Sequence, residues 1–183
     1  MISKTFYKEN IINSNLEKSI DFRYIASKKF KLNKKDDNFW WFSELEITKD
    51  QNGSHEVQKG IFIYKYPYNS KEQFEKTHQI RIRDSICRKY LRGKNKTSFM
   101  ITLLDGLNET NTETSIIKNK FCHELSGCWK MENDKMGGPF VSVSRLSEDK
   151  KYIITSAGYV YAPNFKKLAL IREVKTILYS TFN

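Results

Sequence analysis

The sequence is poor in cysteine, proline and glycine, and it contains no long hydrophobic run. Three cysteines are too few to build a small disulfide-held protein, and three prolines with eight glycines exclude a collagen-like repeat. No stretch approaches the roughly 18 apolar residues of a membrane-spanning helix. No basic-then-apolar signal peptide opens the chain. The 183 residues are 39% hydrophobic and 29% charged, which is enough to bury the core of one globular domain.

Motifs that carry chemistry are also missing. The chain has no G-x-S-x-G elbow, Walker loop, G-x-G-x-x-G or H-E-x-x-H, and spacing pairs none of its histidines (His55, His78 and His123) with a nucleophile. Cys122, His123 and Cys128 lie close in sequence, but alternation along a strand places His123 on the opposite face from the cysteines. Six strand residues also separate the two cysteines by about 20 Å. We therefore predict no catalytic residue, no metal site, no cofactor and no disulfide.

The chain is strongly basic, with a formal net charge of +11. Of its 32 basic residues, 25 are lysine and 7 are arginine, while alanine, glycine and proline are scarce. Codons rich in A and T encode the abundant residues, so drift of an A/T-rich genome explains most of the charge. Exposed lysine is tolerated because its stem covers apolar surface while the ammonium stays in water. We expect the lysines to be scattered over the surface.

The arginines are less evenly spread. Four of the seven lie in one short segment, here called the Arg81–Lys96 cluster, in which Asp84 is the only acid. Its members are Arg81, Arg83, Arg88, Arg92, Lys89, Lys94 and Lys96. Arginine forks suit phosphate or carboxylate groups, so one interpretation is an anion or nucleic-acid site. The alternative, which we favour, is a solvated helix face.

A second candidate anion site is the pair Gly137–Gly138 before Pro139. Two glycines can adopt conformations closed to other residues, and their amides could form an anion-binding nest. A tight reversal between two strands explains the same residues without a ligand, and we favour that turn.

Hydrophobic spacing predicts an α+β fold. Helices are expected over residues 4–20, 70–91 and 163–179, strands over 28–33, 39–47, 60–66, 98–104, 121–131, 140–146 and 152–161, and an irregular excursion over 105–119. The short connections favour antiparallel neighbours. We predict a single domain over residues 1–183, with 1–20 as an N-terminal helical arm. Its mostly antiparallel sheet is covered on one face by two or three helices.

Each of the two later helices has a predicted buried stripe. In the first, apolar or aromatic residues and one histidine recur every four positions, and most arginines fall outside that stripe: Phe74, His78, Ile82, Ile86 and Tyr90. The inner face of the C-terminal helix is predicted to be Leu170, Ile171, Val174, Ile177 and Leu178.

Several phrases in the sequence occur together in a known family. They are Asn38–Trp41, Gly60–Tyr64, Tyr66–Tyr68, Ile82–Ser85, Thr97–Thr102, Gly127–Trp129, Met136–Phe140 and Gly158–Pro163. In this order they resemble the bacterial domain-of-unknown-function family 4837. The resemblance covers about residues 30–181, and more faintly the leading helix, and it corresponds to the C-terminal half of typical members. No activity and no catalytic residue come with it. It does single out Arg83–Asp84, because the same pair recurs in the family phrase.

The resemblance also bears on location. Family members usually begin with a lipoprotein-type signal, which implies the cell envelope. This chain opens at Met1 without one, so we expect a cytoplasmic protein if Met1 is the true start, derived from a shortened gene or a truncated start.

Three hypotheses for function follow. The first is a non-catalytic binding or structural module, envelope-associated by resemblance, with a protein partner or a second copy. The second is an anion or nucleic-acid binder using the Arg81–Lys96 cluster. The third is an enzyme whose site is assembled from distant positions.

Overall fold

A computed structural model describes residues 28–50, 53–95, 97–106, 109–117 and 119–180. The predicted N-terminal helix over 4–20, and the arm over 1–20, lie outside these residues.

The described chain forms eight strands and two helices. The strands are β1 (Lys31–Asp36), β2 (Phe39–Asp50), β3 (Gly53–Pro67), β4 (Met100–Thr102), β5 (Asn111–Ile117), β6 (Lys120–Met131), β7 (Gly137–Leu146) and β8 (Tyr152–Tyr161). The helices are α1 (Lys76–Tyr90), which follows a 3-10 turn at Lys71–Phe74, and α2 (Leu168–Tyr179). No described helix has both the length and the apolar character needed to cross a membrane.

All strands belong to one antiparallel sheet in the order β1-β2-β3-β8-β7-β6-β4, and β5 pairs with β6. β4 and β5 occupy the same side of β6, because β5 pairs with residues 120–126 and β4 with residues 129–131. The prediction of a mostly antiparallel α+β sheet is therefore confirmed.

The sheet buries residues on both faces, because alternate residues of each central strand enter different cores. On β3, Ile61 and Ile63 belong to one core, while Phe62 and Tyr64 belong to the other. The first core also contains Val174, Ile177 and Leu178 of α2, and we call this side of the sheet the α2 face. The second contains Cys87 and Tyr90 of α1, and we call it the α1 face.

The prediction that helices cover one face is not confirmed. β3 and β8 are buried on both faces, as a central strand with apolar residues at successive positions requires. The continuous apolar run Gly60–Tyr64 was the sequence signal for a second covering element.

The excursion predicted over 105–119 contains a strand. β5 carries the residues NTETSII, all seven of which are polar or β-branched, and it pairs along its length with β6. Its polar side chains are compatible with a strand at the edge of the sheet, where one side of the ladder faces outward. That polarity removed the apolar alternation from which the strand could have been recognised.

The buried stripe of α1 is rotated from the predicted one. Its buried residues are Gln79, Arg83, Cys87 and Tyr90, whereas Ile82 and Ile86 are half-buried at the margin. The stripe of α2 is confirmed: Val174, Ile177 and Leu178 are buried, and the half-buried Leu170 and Ile171 pack against the same core. The helix begins at Leu168 rather than near residue 163.

Candidate binding groove

The structure divides the Arg81–Lys96 cluster between the interior and the surface. Arg83 is fully buried, with its guanidinium carbon 3.9 Å from the centre of the Phe140 ring. Its Nη1 donates to the carboxylate of Asp84 at 3.2 Å and to Oγ1 of Thr102 at 3.1 Å. An arginine held between an aromatic ring and a carboxylate is not available to an external anion.

Asp84 completes this contact between α1 and β4. Its Oδ1 accepts from the backbone N–H of Thr102 at 2.9 Å and from the Thr102 hydroxyl at 2.7 Å. Sequence resemblance singled out Arg83–Asp84, and the structure places the pair as a charge-assisted link between helix and sheet.

The other arginines of the cluster are exposed. Arg81 donates to Nδ1 of His78 at 3.1 Å, and the Arg88 guanidinium lies 4.5 Å from the centre of the Phe99 ring. Arg92 lies beyond the helix in a short bridge with Phe99. Arg81 and Arg88 are seven residues apart and share one side of α1, but Arg83 does not join them.

The glycines of the proposed anion nest lie in a strand. Gly137 and Gly138 pair with Lys130 and Trp129 of β6, and neither has a positive φ. A Cβ at Gly138 would lie 2.1 Å from the carbonyl oxygen of Val160, so close backbone approach explains the glycine. A nest needs successive amides turned toward one point, and an extended strand does not provide that. The turn that we favoured lies just before them, over residues 132–136.

The histidines and cysteines are not gathered into a site. Cys122 and Cys128 share the α2 face of β6 and His123 points to the other face, as strand alternation predicts. Burial lowers the pKa of His123, and it raises the pKa of the Cys87 thiol to about 11. In the described ranges, no three metal-ligating side chains lie close enough to hold an ion.

A buried ionic group also lies on the α2 face. The ammonium of Lys59, the one described lysine that is buried, lies 2.9 Å from Glu173 and 3.4 Å from the buried Glu44. Burial acts to lower the pKa of Lys59, but the two carboxylates outweigh it and leave the pKa raised. Burial raises the pKa of Glu44. The Lys59 ammonium bridges the two carboxylates, so the group joins α2 to β2 and β3.

A concave surface opens beside α2, where the helix crosses β6 and β7. This groove encloses about 240 Å³. The sheet contributes Glu124, Ser126, Gly127, Pro139, Phe140 and Val141, and the helix contributes Ile171, Arg172 and Lys175. Its wall is therefore mostly apolar, with charged groups along one side.

The carboxylate in the groove is already bonded. Oε1 of Glu124 accepts from the Lys175 ammonium at 2.7 Å, and Oε2 accepts from the Tyr179 hydroxyl. Burial, and then the bond to Glu124, raise the pKa of Tyr179 far above its usual range. Both carboxylate oxygens of Glu124 are therefore engaged within the protein, and neither is left free for a ligand.

Arg172 is the cationic group left for a ligand. Its side chain is exposed, and its guanidinium makes no ion pair within the part of the chain that the structure describes. Beside it, Ile171, Pro139 and Val141 form an apolar surface. The groove can therefore hold an apolar group while Arg172 binds an adjoining carboxylate.

Sequence reasoning did not find this groove. Its only signal was Glu124, a charged residue at an inward position of a strand, flanked by Cys122 and Ser126 on the same face. The helical spacing placed Arg172 and Lys175 on the outer, polar face of an amphipathic helix and predicted no further role for them. The groove exists because α2 crosses β6 and β7, which depends on long-range packing.

Comparison with known families gives a match over residues 9–180, to the family described as "Domain of unknown function (DUF4837)". No curated protein matches the chain. The match supports the resemblance drawn from the sequence, but the narrower expectation of a C-terminal half is not confirmed, since nearly the whole chain is matched. The protein belongs to the DUF4837 family.

Proposed function

We propose that this protein is a non-catalytic binding module that recognises a partner protein through the groove between α2 and the β6–β7 part of the sheet. The observation that carries the proposal is the exposed Arg172 guanidinium beside an apolar wall. The other charges of the groove, Glu124 and Lys175, are paired with each other.

The shape and chemistry of the groove select the ligand class. A volume of about 240 Å³ accommodates one or two side chains rather than a large cofactor. We propose an extended segment of the partner in which an apolar side chain adjoins an aspartate or glutamate. The apolar group would contact Ile171 and Pro139, and the carboxylate would pair with Arg172.

The same geometry argues against a catalytic role for the groove. General acid–base catalysis needs a group whose pKa lies near the working pH. Glu124 is engaged by two donors, and the pKa of Tyr179 is raised.

Association with the cell envelope is part of the proposal, and it rests on the family resemblance.

A second candidate function is anion or nucleic-acid binding by α1. The exposed guanidinium groups of Arg81 and Arg88 on one side of the helix favour it. Since phosphate contacts make affinity fall steeply with salt, binding of labelled single- and double-stranded oligonucleotides should be strongest at low salt and lost in Arg81→Glu/Arg88→Glu. Absence of binding at low salt excludes this candidate.

The groove is tested by selecting peptides from a phage-displayed library of random sequences against the purified protein. We expect enriched peptides that place an apolar residue next to Asp or Glu. A synthetic peptide of the consensus should bind the protein, and Arg172→Glu should weaken its binding at least tenfold, because the substitution reverses the charge that pairs with the ligand.

The matched control is Lys166→Glu, which makes the same charge reversal at an exposed position outside the groove. It should bind the consensus peptide as the wild type does. The proposal is wrong if no peptide is enriched, or if the two charge reversals weaken binding equally.

A further inference from the structure

The two edges of the sheet differ in how they discourage pairing with another strand. The β1 edge carries Lys31, Lys34 and Lys35, and its register with β2 shifts between Leu32 and Lys34. Lysines and irregular register on an edge strand are common protections against edge-to-edge association. β1 is therefore a protected edge.

The β5 edge has neither protection. Its seven residues contain no lysine, arginine or proline, and their register with β6 is unbroken from Asn111 to Ile117. Within the residues that the structure describes, β5 pairs with β6 alone, so its outer backbone groups are open to another strand. Threonine, serine and isoleucine on such an edge favour further pairing.

Exposed apolar side chains lie along the same edge. Ile116 is 76% exposed, and its cross-strand neighbour Phe121 is 44% exposed. They share the α1 face of the sheet with Thr112 and Thr114 of β5. A strand added outside β5 would cover part of Ile116.

We propose that β5 is a self-association site, through which two copies of this chain pair antiparallel and join their sheets across a two-fold axis at Thr114. The groove beside α2 is lined by β6, β7 and the helix, so this proposal stands independently of the proposed function.

The charge pattern selects this register. With the axis at Thr114, all seven residues find a partner and Glu113 faces the uncharged Ser115 of the second copy. Moving the axis to Glu113 would oppose two carboxylates, which is destabilising across a strand pair. Moving it to Ser115 would leave Asn111 and Thr112 unpaired.

The side chains are also complementary in that register. On the α1 face, Thr114 meets its own copy and Ile116 meets Thr112, so a β-branched pair forms at each contact. A single pair of seven-residue strands buries less than the roughly 1,200 Å² typical of stable complexes. The dimer should therefore depend strongly on concentration.

Sedimentation velocity across protein concentrations up to about 1 mM tests the proposal, since that range populates even weak complexes. We expect a monomer that converts to a dimer as concentration rises. Thr114→Lys should remove the dimer, because two ammonium groups would meet at the axis. Leu32→Lys, the matched control at an exposed position of the β1 edge, should leave it unchanged.

Cross-linking tests the register directly. In Thr114→Cys, the two introduced thiols would lie opposite each other, and a short bis-maleimide should join two chains. Asn111→Cys should give no more cross-linked dimer than the wild type, because its two thiols would be about 20 Å apart along the strands. A monomer at every concentration, or a dimer that persists in Thr114→Lys, overturns the proposal.

Discussion

α1 and α2 pack on opposite faces of one sheet, and the side chains that they bury are of different kinds. α1 buries Gln79, Arg83, Cys87 and Tyr90. α2 buries Val174, Ile177 and Leu178, and keeps Glu173 and Lys175 at its margins, where they pair with residues of the sheet. α1 therefore combines apolar packing with directed polar contacts in its buried stripe, whereas α2 combines apolar packing with ion pairs at its margins.

The polar contacts of α1 extend into the sheet. Gln79 donates to the Tyr66 hydroxyl at 2.9 Å, and its Oε1 accepts from Ser144 at 2.7 Å. Ser144 in turn lies 2.8 Å from the hydroxyl of Thr155. Buried polar groups must be satisfied, so this network restricts the helix to one placement. Apolar packing such as that of α2 tolerates small shifts more readily.

The largest expected effect comes from removing the central polar contact of α1. Arg83→Ala should lower the free energy of unfolding by about 3–5 kcal/mol, since it removes the fully buried partner of an ion pair and empties the space over Phe140. Denaturant unfolding followed by circular dichroism measures it. Arg81→Ala, on the exposed side of the same helix, should unfold like the wild type.

If Arg83→Ala does not fold, Arg83→Lys provides the test. Lysine keeps the charge but lacks the planar guanidinium that lies over Phe140 while its Nη1 donates to both Asp84 and Thr102. The Arg83→Lys variant should therefore also have a lower free energy of unfolding than the wild type. A variant as stable as the wild type would show that α1 does not depend on this contact.

On the α2 face, the next largest effect is expected from overpacking. A Cβ at Gly158 would lie 2.1 Å from Cγ1 of Val174, so Gly158→Ala should cost about 1–3 kcal/mol by displacing the helix. In Gly158→Ala/Val174→Ala the new methyl occupies released space, and thermal unfolding should show a smaller loss than the sum of the single variants. Strict additivity would contradict the close contact.

The α1 face also contains a histidine whose protonation should make the stability of the protein depend on pH. Because burial lowers the pKa of His123 on the α1 face, the unfolded chain takes up a proton near pH 6.5 before the folded chain does. Stability is therefore retained above that pH and falls as the pH decreases toward the folded pKa, by no more than about 1.4 kcal/mol per unit.

His123→Leu should remove this component when urea unfolding is measured between pH 7 and pH 5. His55→Leu, which changes a half-buried histidine near the β2–β3 turn, should retain it. An acid response unchanged in His123→Leu would assign the effect to other groups.

The smallest effect is expected at the margin of α2. The Lys175 side chain is 42% exposed, although its partner Glu124 is buried, and an ion pair whose cation is open to solvent contributes only about 1 kcal/mol or less. Lys175→Met should therefore change the free energy of unfolding by less than about 1 kcal/mol in equilibrium denaturation, because Tyr179 still donates to Glu124. A loss of stability as large as that in Arg83→Ala would contradict the comparison, because it would show that α2 depends on this polar contact as strongly as α1 depends on Arg83.

The predictions that succeeded used local spacing. Strands β6 and β8 were expected nearly at their observed bounds, and the inner face of α2 was correct. Both rest on apolar residues repeated at the period of the element. The buried side of α1 was misplaced because the stripe was drawn through apolar and aromatic residues and His78, with most arginines outside it, whereas Arg83 and Gln79 are buried.

The candidate groove had little signal in the sequence. Its polar groups come from β6 and α2, and its apolar wall from β7 and Ile171. No spacing along the chain relates these segments. Likewise, Arg83 is buried while Arg88 is exposed. The difference depends on Thr102 and Phe140, which contact Arg83 and are distant from it in sequence.

Alternation and helical spacing are properties of short segments, and they were enough to predict an antiparallel sheet with amphipathic helices. The placement of the two helices on opposite faces, the burial of Arg83 and the position of Arg172 beside a groove became visible only in the folded chain. These outcomes depend on which distant groups satisfy a buried charge and which strands a helix crosses, and local periodicity does not encode either one.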